Sequence, residues 1–398
     1  MNKQTTILKK IQEIAKKTEM GTKEFGPLSG KIGIALWYYY LSRYVDEAYH
    51  EIAEKWLMDV LSDLHNNSIT FTHCGGYSGI CWTLLHLKEH GYIDMDTDIL
   101  DHTDERLFID METSLHNNNW DFLHGASGII LYFLKKRQNT SDTKNIDRYI
   151  DVFIKQMSDM AVNEQDDCMK WASTVYTDDK SRMVYNICLS HGMSALLTIF
   201  TKIYLSYNKS NDLFRRLIEE TSQYIIHQRI DPNIYKSCFP SYSIESEPHL
   251  VGSRLGWCYG DLGIAMALWQ AGVALNEQKW QQIAVETMKH AATRKVESST
   301  MDAGICHGTA GIAHIFNRMH QYTKIEQFKT SSDYWIDETL KMAKFDDGVA
   351  GYKTYRAISS ENYINDYTLL SGVSGIGLCL LSNIYDGASA WDECLLLS

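Results

Sequence analysis

The sequence predicts an all-α protein, an α/α toroid (barrel) of seven inner and seven outer helices with loop insertions. Two observations carry that prediction. A phrase built on Gly-x-x-Gly and running into apolar residues recurs seven times, and amphipathic stretches separate the copies. A third is permissive: 4 prolines among 398 residues allow long helices without requiring them.

The chain begins MNKQTTILKKIQEIAKK, which reads as the start of an amphipathic helix and lacks the apolar centre of a signal peptide. The copies follow in order: GKIGIALWYY from Gly30, GYSGICWTLL from Gly76, GASGIILYFL from Gly125, GMSALLTIF from Gly192, GDLGIAMALW from Gly260, GTAGIAHIF from Gly308 and GVSGIGLCLL from Gly372. In the fourth, Ala195 replaces the second glycine. The intervals are 46, 49, 67, 68, 48 and 64 residues, a period that signals repeat architecture. Each copy is long enough for a strand or for a buried helix segment. Small residues at its start and the 46-residue spacing favour a helix entered through a tight turn, and a helix apolar on every side must be buried.

Between copies, Ile52, Trp56, Val60 and Leu64 fall at helical spacing, as do Trp280, Ala284, Met288 and Ala291. These are the covering helices. Seven buried and seven covering helices suggest a closed ring. The competing open solenoid needs polar capping repeats, and the copies from Gly30 and Gly372 are as apolar as the rest. The longer intervals hold polar insertions: NTSDTKN, NEQDDCMKW and TVYTDDKSR in the first, YSIESEPH in the second. With no linker rich in Pro, Gly or Ser, residues 1–398 read as a single domain.

Composition narrows the function. Hydrophobic residues, 44% of the chain, are ample for a large core, and the net charge of −12 lacks the basic footprint of a nucleic-acid binder. No run approaches the ~18 apolar residues of a membrane span. Nine scattered cysteines without a secretion signal suggest reduced thiols in a cytoplasmic protein.

Aligning the copies on their first glycine exposes equivalent positions. One residue earlier stand Ser29, Gly75, His124, His191, Tyr259, His307 and Ser371; two earlier stand Leu28, Cys74, Leu123, Ser190, Cys258, Cys306 and Leu370. Parallel helices in a ring bring these to one rim, drawing three cysteines and three histidines together. Cys258, Cys306 and His307 offer the thiolates and imidazole that zinc takes, with the fourth position open. Cys74 is a fourth candidate that would close the site. The competing reading is that such cysteines are small core residues. Beside a metal, His124 and His191 are candidate acids and bases. Asp121, four residues before its glycine, either orients a histidine or caps a helix. Arg254 either binds an anion or lies on the surface.

SRLGWCYGDLG, followed 48 residues later by CHGTAGIA, resembles the lanthionine synthetase C-like family of lanthipeptide cyclases, and LSHGMSA and WDFLHGASG match two further family motifs in the right order. The resemblance spans nearly the whole chain. It implies the toroid of seven inner and seven outer helices, and Zn2+ held by Cys258, Cys306 and His307, with Cys74 a non-ligand. It implies His191 as general acid–base, Asp121 as its carboxylate, and Arg254, Trp257 and Tyr259 as residues lining the site. His124 receives no role from it, and Ala195, which a helix tolerates, puts little in doubt.

The implied reaction adds a peptide cysteine thiol to a dehydroalanine or dehydrobutyrine of the same peptide, closing a (methyl)lanthionine thioether. A free thiol with pKa ~8.5 is only a few per cent ionised at neutral pH, so full ionisation alone is worth roughly 30-fold. The implied partners are a dehydrated precursor peptide (leader plus core), a dehydratase and an export transporter, the last two placing a cytoplasmic enzyme peripheral to the membrane. Two rivals stand. A zinc-dependent prenyltransferase would need basic residues for a diphosphate, and none cluster beside the repeat heads. A glutathione- or thiol-binding relative without cyclase activity would share the same zinc motif.

Overall fold

The computed structural model describes residues 2–18, 22–64, 69–164, 167–173, 184–246, 249–295, 300–357 and 362–398. In chain order its helices are α1 (Lys3–Lys17), α2 (Lys31–Tyr44), α3 (Tyr49–Asp63), α4 (Tyr77–Glu89), α5 (Asp101–His116), α6 (Ala126–Gln138), α7 (Lys144–Met160), α8 (Met193–Ser206), α9 (Asp212–His227), the one-turn α10 (Pro232–Tyr235), α11 (Asp261–Ala274), α12 (Gln278–Ala291), α13 (Thr309–Thr323), α14 (Glu326–Lys341) and α15 (Val373–Ile384). Strands β1 (Val162–Glu164) and β2 (Cys168–Lys170) form one antiparallel pair, β3 (Thr354–Tyr355) and β4 (Tyr363–Ile364) another. Both pairs lie in the longer intervals, where the sequence places insertions. Of the predicted loops, NEQDDCMKW contributes Asn163 and Glu164 to β1 and Cys168, Met169 and Lys170 to β2, with 165–166 outside the described residues, as is all of TVYTDDKSR.

Seven helices, α2, α4, α6, α8, α11, α13 and α15, start immediately after a repeat glycine and are buried along nearly their whole length. Five of their entry loops share one geometry. The amide following the glycine donates to a carbonyl seven residues back: Lys31 to Glu24 (3.0 Å), Ala126 to Asn119 (3.1 Å), Met193 to Asn186 (2.8 Å), Thr309 to Asp302 (3.2 Å) and Val373 to Asp366 (3.0 Å). The loop thus folds back over the helix start and leaves no room for a side chain there. At Gly192 a Cβ would overlap the Asn186 carbonyl and the Cys188 amide. Gly260 is the one repeat glycine with a positive φ, +93°, which few other residues adopt.

The chain divides into two compact units. The first comprises Met1–Thr70, Leu255–Trp257 and Ala292–Ser398. Within it α13 packs on α15 and α15 on α2, so the last buried helix lies beside the first. α3 covers α2, and α14 covers α13. The sequence expects each buried helix to be followed by its cover, but α15 is followed by a short 3-10 helix, Ala390–Leu395. α1 covers it instead, with Ile7, Ile11, Ile14 and Ala15 buried, and Tyr38 of α2 donates to the Ala15 carbonyl at 2.7 Å.

The second unit comprises Phe71–Arg254 and Cys258–Ala291. Here α4, α6, α8 and α11 pack side by side; α5 and α7 lie on α6, α9 on α8 and α12 on α11. The β1–β2 hairpin packs on α9 and is pinned by Lys170. That buried ammonium pairs with Glu164 and with Glu245 (2.7 Å), and sits 4.1 Å from the centre of the Tyr185 ring.

One charge lies deep in the first unit. Asp392, on the 3-10 helix, is fully buried; its Oδ2 is 2.7 Å from His314 Nε2 and 2.8 Å from Arg318 Nε, both on α13. Burial alone would raise its carboxyl pKa, but Arg318 and His314 outweigh it and hold it below 3.8. A depressed carboxyl contributes stability above its unfolded value and loses it as pH falls through the folded value, so the contribution is complete at pH 7 and fades below about pH 4. Asp392→Ala leaves the Arg318 guanidinium without its counter-charge and the buried His314 Nε2 without its partner. It is expected to cost about 3–5 kcal/mol at pH 7, read from urea midpoints, with the gap to wild type narrowing below about pH 4.

Candidate functional site

Within each unit, backbone hydrogen bonds join repeat heads that are far apart in sequence. In the first unit the Leu370 amide donates to Leu28 O (2.9 Å), Ile305 and Cys306 donate to Leu370 O (3.0 and 3.1 Å), and Trp257 donates to Cys306 O (3.0 Å). In the second, Cys74 donates to Leu123 O (3.0 Å), and Leu189 and Ser190 donate to Cys258 O (3.2 and 3.3 Å). The carbonyls used, those of Leu28, Leu123, Cys258, Cys306 and Leu370, all belong to the position two before the repeat glycine.

This bonding sets the place of three predicted ligands. Gly256 lies against the Cys306 carbonyl and the His307 backbone, Trp257 is tied to Cys306, and Cys258 is the next residue. Cys258, Cys306 and His307 each offer a ligand atom, and these atoms all lie within 4.8 Å of one another. The donor set, two thiols and an imidazole, suits zinc. Among the described residues, His307 Nδ1 is buried without a hydrogen-bond partner, a costly state for a ring nitrogen unless something occupies it. Its Nε2 faces Asp302 Oδ2 at 3.8 Å, and Asp302 is fixed by the amides of Gly304 and Tyr355, both at 3.0 Å. Asp302 was not legible as part of the site from spacing.

Cys74 is buried and stands outside this group; no disulfide joins any of the nine cysteines. A second group, Cys238, Asp261 and His290, also clusters within 4.8 Å. There the Asp261 carboxylate accepts from the Cys238 amide (3.0 and 3.1 Å) and the Phe239 amide (2.9 Å), which reads as a staple between that loop and the start of α11.

Asp121 and His191 meet across 70 residues. Asp121 Oδ2 is 2.7 Å from His191 Nδ1, and its Oδ1 accepts the His124 amide at 2.6 Å. The carboxylate can only accept, so Nδ1 carries the hydrogen and Nε2 is left to exchange a proton. The sequence leaves Asp121 between orienting a histidine and capping a helix; Gly125 is the N-cap of α6, and Asp121 gives one oxygen to His191 and the other to the loop amide of His124. His124 is stacked beside His191, ring centres 5.9 Å apart. Desolvation lowers its pKa, opposed by Asp121 and reinforced by His191.

Tyr259 lies with its ring 6.5 Å from that of His191. Desolvation foremost, then Cys188 and Tyr242, push its pKa far up, so it stays a phenol that can donate. Its hydroxyl meets Asn186 Nδ2 at 3.4 Å and the Tyr242 hydroxyl at 3.5 Å. Neither neighbour is signalled by the repeat, because both come from the longer intervals. Those segments are stitched together: Ser243 donates to Tyr185 O (2.9 Å), and the Tyr185 amide to Ser246 Oγ (2.8 Å). Arg254 is exposed, with no ion pair among the described residues. Trp257 is fully buried, and its indole N–H donates to Leu395 O at 2.9 Å.

Residues 24–396 match the family model described as lanthionine synthetase C-like protein. Among solved structures, one titled "Nisin cyclase" is similar over 99% of this chain and 97% of its own, with a TM-score of 0.75 at 19% identity. That likeness shows the fold, the all-α α/α toroid expected from the repeats. A sugar epimerase from a ruminal bacterium and cellobiose 2-epimerase from Bacillus thermoamylovorans B4167 align over 95% and 96% of this chain at 11% identity. Their TM-scores of 0.45 carry no argument.

The Asp121–His191 contact is testable directly. A downfield proton resonance from His191 Nδ1–H is expected in wild-type NMR spectra and should vanish in Asp121→Asn. Asp121→Ala also strands the His124 amide and is expected to cost about 1.5–3 kcal/mol of stability.

Proposed function

The chain belongs to the lanthionine synthetase C-like family, and from that premise we propose that it is a zinc-dependent lanthipeptide cyclase, residues 1–398 working as one domain. The observation that carries the reading is the group Cys258, Cys306 and His307, with an orphaned imidazole nitrogen pointing to an occupant. Its substrate is a dehydrated precursor peptide, leader plus core.

When bound by these three residues, zinc supplies a deprotonated substrate thiol at neutral pH. With both cysteines as thiolates, the ligand set already cancels the metal's charge, so a third sulfur stays electron-rich. The substrate sulfur forms a bond to the β-carbon of the dehydroamino acid, and the alkene electron pair moves toward the α-carbon and its carbonyl as an enolate. That α-carbon then needs one proton. His191, its hydrogen held on Nδ1 by Asp121, takes up on Nε2 the proton that the substrate thiol gives up and delivers that proton to the α-carbon. The Tyr259 phenol and the exposed Arg254 guanidinium stabilise the enolate oxygen or hold the peptide backbone. Thiolates add to dehydroamino acids unaided, so much of the protein's contribution is choosing which sulfur meets which alkene and on which face.

We assign a dehydratase and an export transporter as partners and the cytoplasm as location, with the membrane reached through those partners. Among the described residues, no helix is long and apolar enough to cross a membrane.

The test uses a dehydrated peptide, counting free thiols by alkylation and mass as rings close. Wild type is expected to hold one zinc per chain; Cys306→Ala should lose both zinc and ring closure. His191→Ala should keep zinc and lose about 10²–10⁴ in turnover. A zinc-replete His307→Ala protein with normal activity would refute the ligand set. Zinc binding without ring closure on any dehydrated peptide would move the assignment to thiol binding.

A further inference from the structure

We propose that the segment Ala390–Leu395 is a positioning device for the metal ligands, acting through Trp257; this rests on the zinc reading above. The contacts form a closed circuit inside the first unit. Cys306 and His307 lead directly into α13. Further along α13, His314 and Arg318 grip Asp392 at 2.7 and 2.8 Å. The His314 ring packs on Trp391, centroids 4.8 Å apart, and Tyr322 donates to Leu397 O at 3.1 Å. The held segment presents the Leu395 carbonyl to the indole N–H of Trp257 at 2.9 Å, and the Trp257 amide returns to Cys306 O at 3.0 Å.

Trp257 is thus clamped from both ends. Its backbone is fixed by one ligand residue, its side chain by a carbonyl 138 positions away, and a single peptide bond joins it to Cys258. A thiol pair from two different repeats keeps its separation only if both backbones are fixed. The Cys306 backbone belongs to the head of α13, and the segment ties α13 to the residue preceding Cys258. Trp391, Asp392, Cys394, Leu395, Leu396 and Leu397 are all fully buried, so the anchor is as immobile as the core around it. Outer contacts of this kind fix ligand orientation, and their loss typically costs a metal site 10–100-fold in affinity.

The experiment compares zinc release to a competing chelator from intact wild type, Trp257→Phe, Asp392→Asn and a control, Leu107→Ala, whose core position lies in the second unit. Trp257→Phe keeps an aromatic ring and removes the N–H. It is expected to retain one zinc per chain, to release it roughly 10–100-fold faster, and to shift the visible spectrum of the cobalt-substituted site. Asp392→Asn should move release in the same direction if it folds; if it does not, Trp257→Phe decides alone. Leu107→Ala, destabilised at least as much, should leave release and spectrum as in wild type. Zinc-loaded Trp257→Phe with wild-type release and spectrum overturns the proposal and leaves the zinc reading intact. Wild type without zinc overturns both.

Discussion

The carbonyl two residues ahead of each repeat glycine is the joint on which the architecture turns. Helices buried on every side bring few polar side chains with them, so the loops that enter them must satisfy their backbone groups by other means. They do so in two layers. Five of the loops close on themselves through the amide seven residues on, and five heads offer a carbonyl to the amide of another head. Leu28 receives Leu370, Leu370 receives Ile305 and Cys306, and Cys306 receives Trp257. Residues hundreds of positions apart are held at hydrogen-bond length by main chain alone. The chemistry at the heads therefore varies freely, since the scaffold never depends on which side chain stands there, provided the glycine remains.

That division explains what could be read in advance. The glycine constraint is local: at Gly30, Gly125, Gly192, Gly260, Gly308 and Gly372 a side chain would overlap backbone a few residues away, so seven buried helices were legible from spacing. The same alignment sets Cys258 and Cys306 on one equivalent position and His307 on the next, and the wide apolar stripes of α3 and α12 marked covers. What stayed hidden is non-local. Nothing in the composition of α1 says that it covers α15, because its Ile7, Ile11 and Ile14 would suit any apolar groove. Asn186 and Tyr242 reach Tyr259 from irregular segments without a period, and Asp302 lies five residues before His307 in a loop whose path spacing does not encode. Trp257 was legible as a motif residue, but its partner Leu395 is a backbone carbonyl, which leaves no trace in a sequence.

Four buried carboxylates show how differently one functional group is used. Asp261 and Asp302 accept backbone amides and fasten loops. Asp392 is met by a guanidinium and an imidazole and fastens a segment to a helix. Asp121 divides its oxygens between an amide and an imidazole at hydrogen-bond length, so it is at once a fastener and the group that decides which nitrogen of His191 holds a hydrogen. Its structural half makes its chemical half precise, because an oxygen anchored by the His124 amide leaves the other little freedom to wander.

The covering of α15 by α1 has a consequence in time. Chains emerge from the ribosome amino end first, and α1 is finished long before its apolar partner exists. With α1 ending at Lys17 and α15 at Ile384, the interval is roughly 20–75 s at 5–20 residues per second. Throughout it the apolar stripe of α1 and the flank of α2 that later meets α15 have no native neighbour, whereas α4, α6 and α8 of the second unit gain theirs in succession. The first unit is thus the last to be completed although its segment Met1–Thr70 is the first part of the chain to be made.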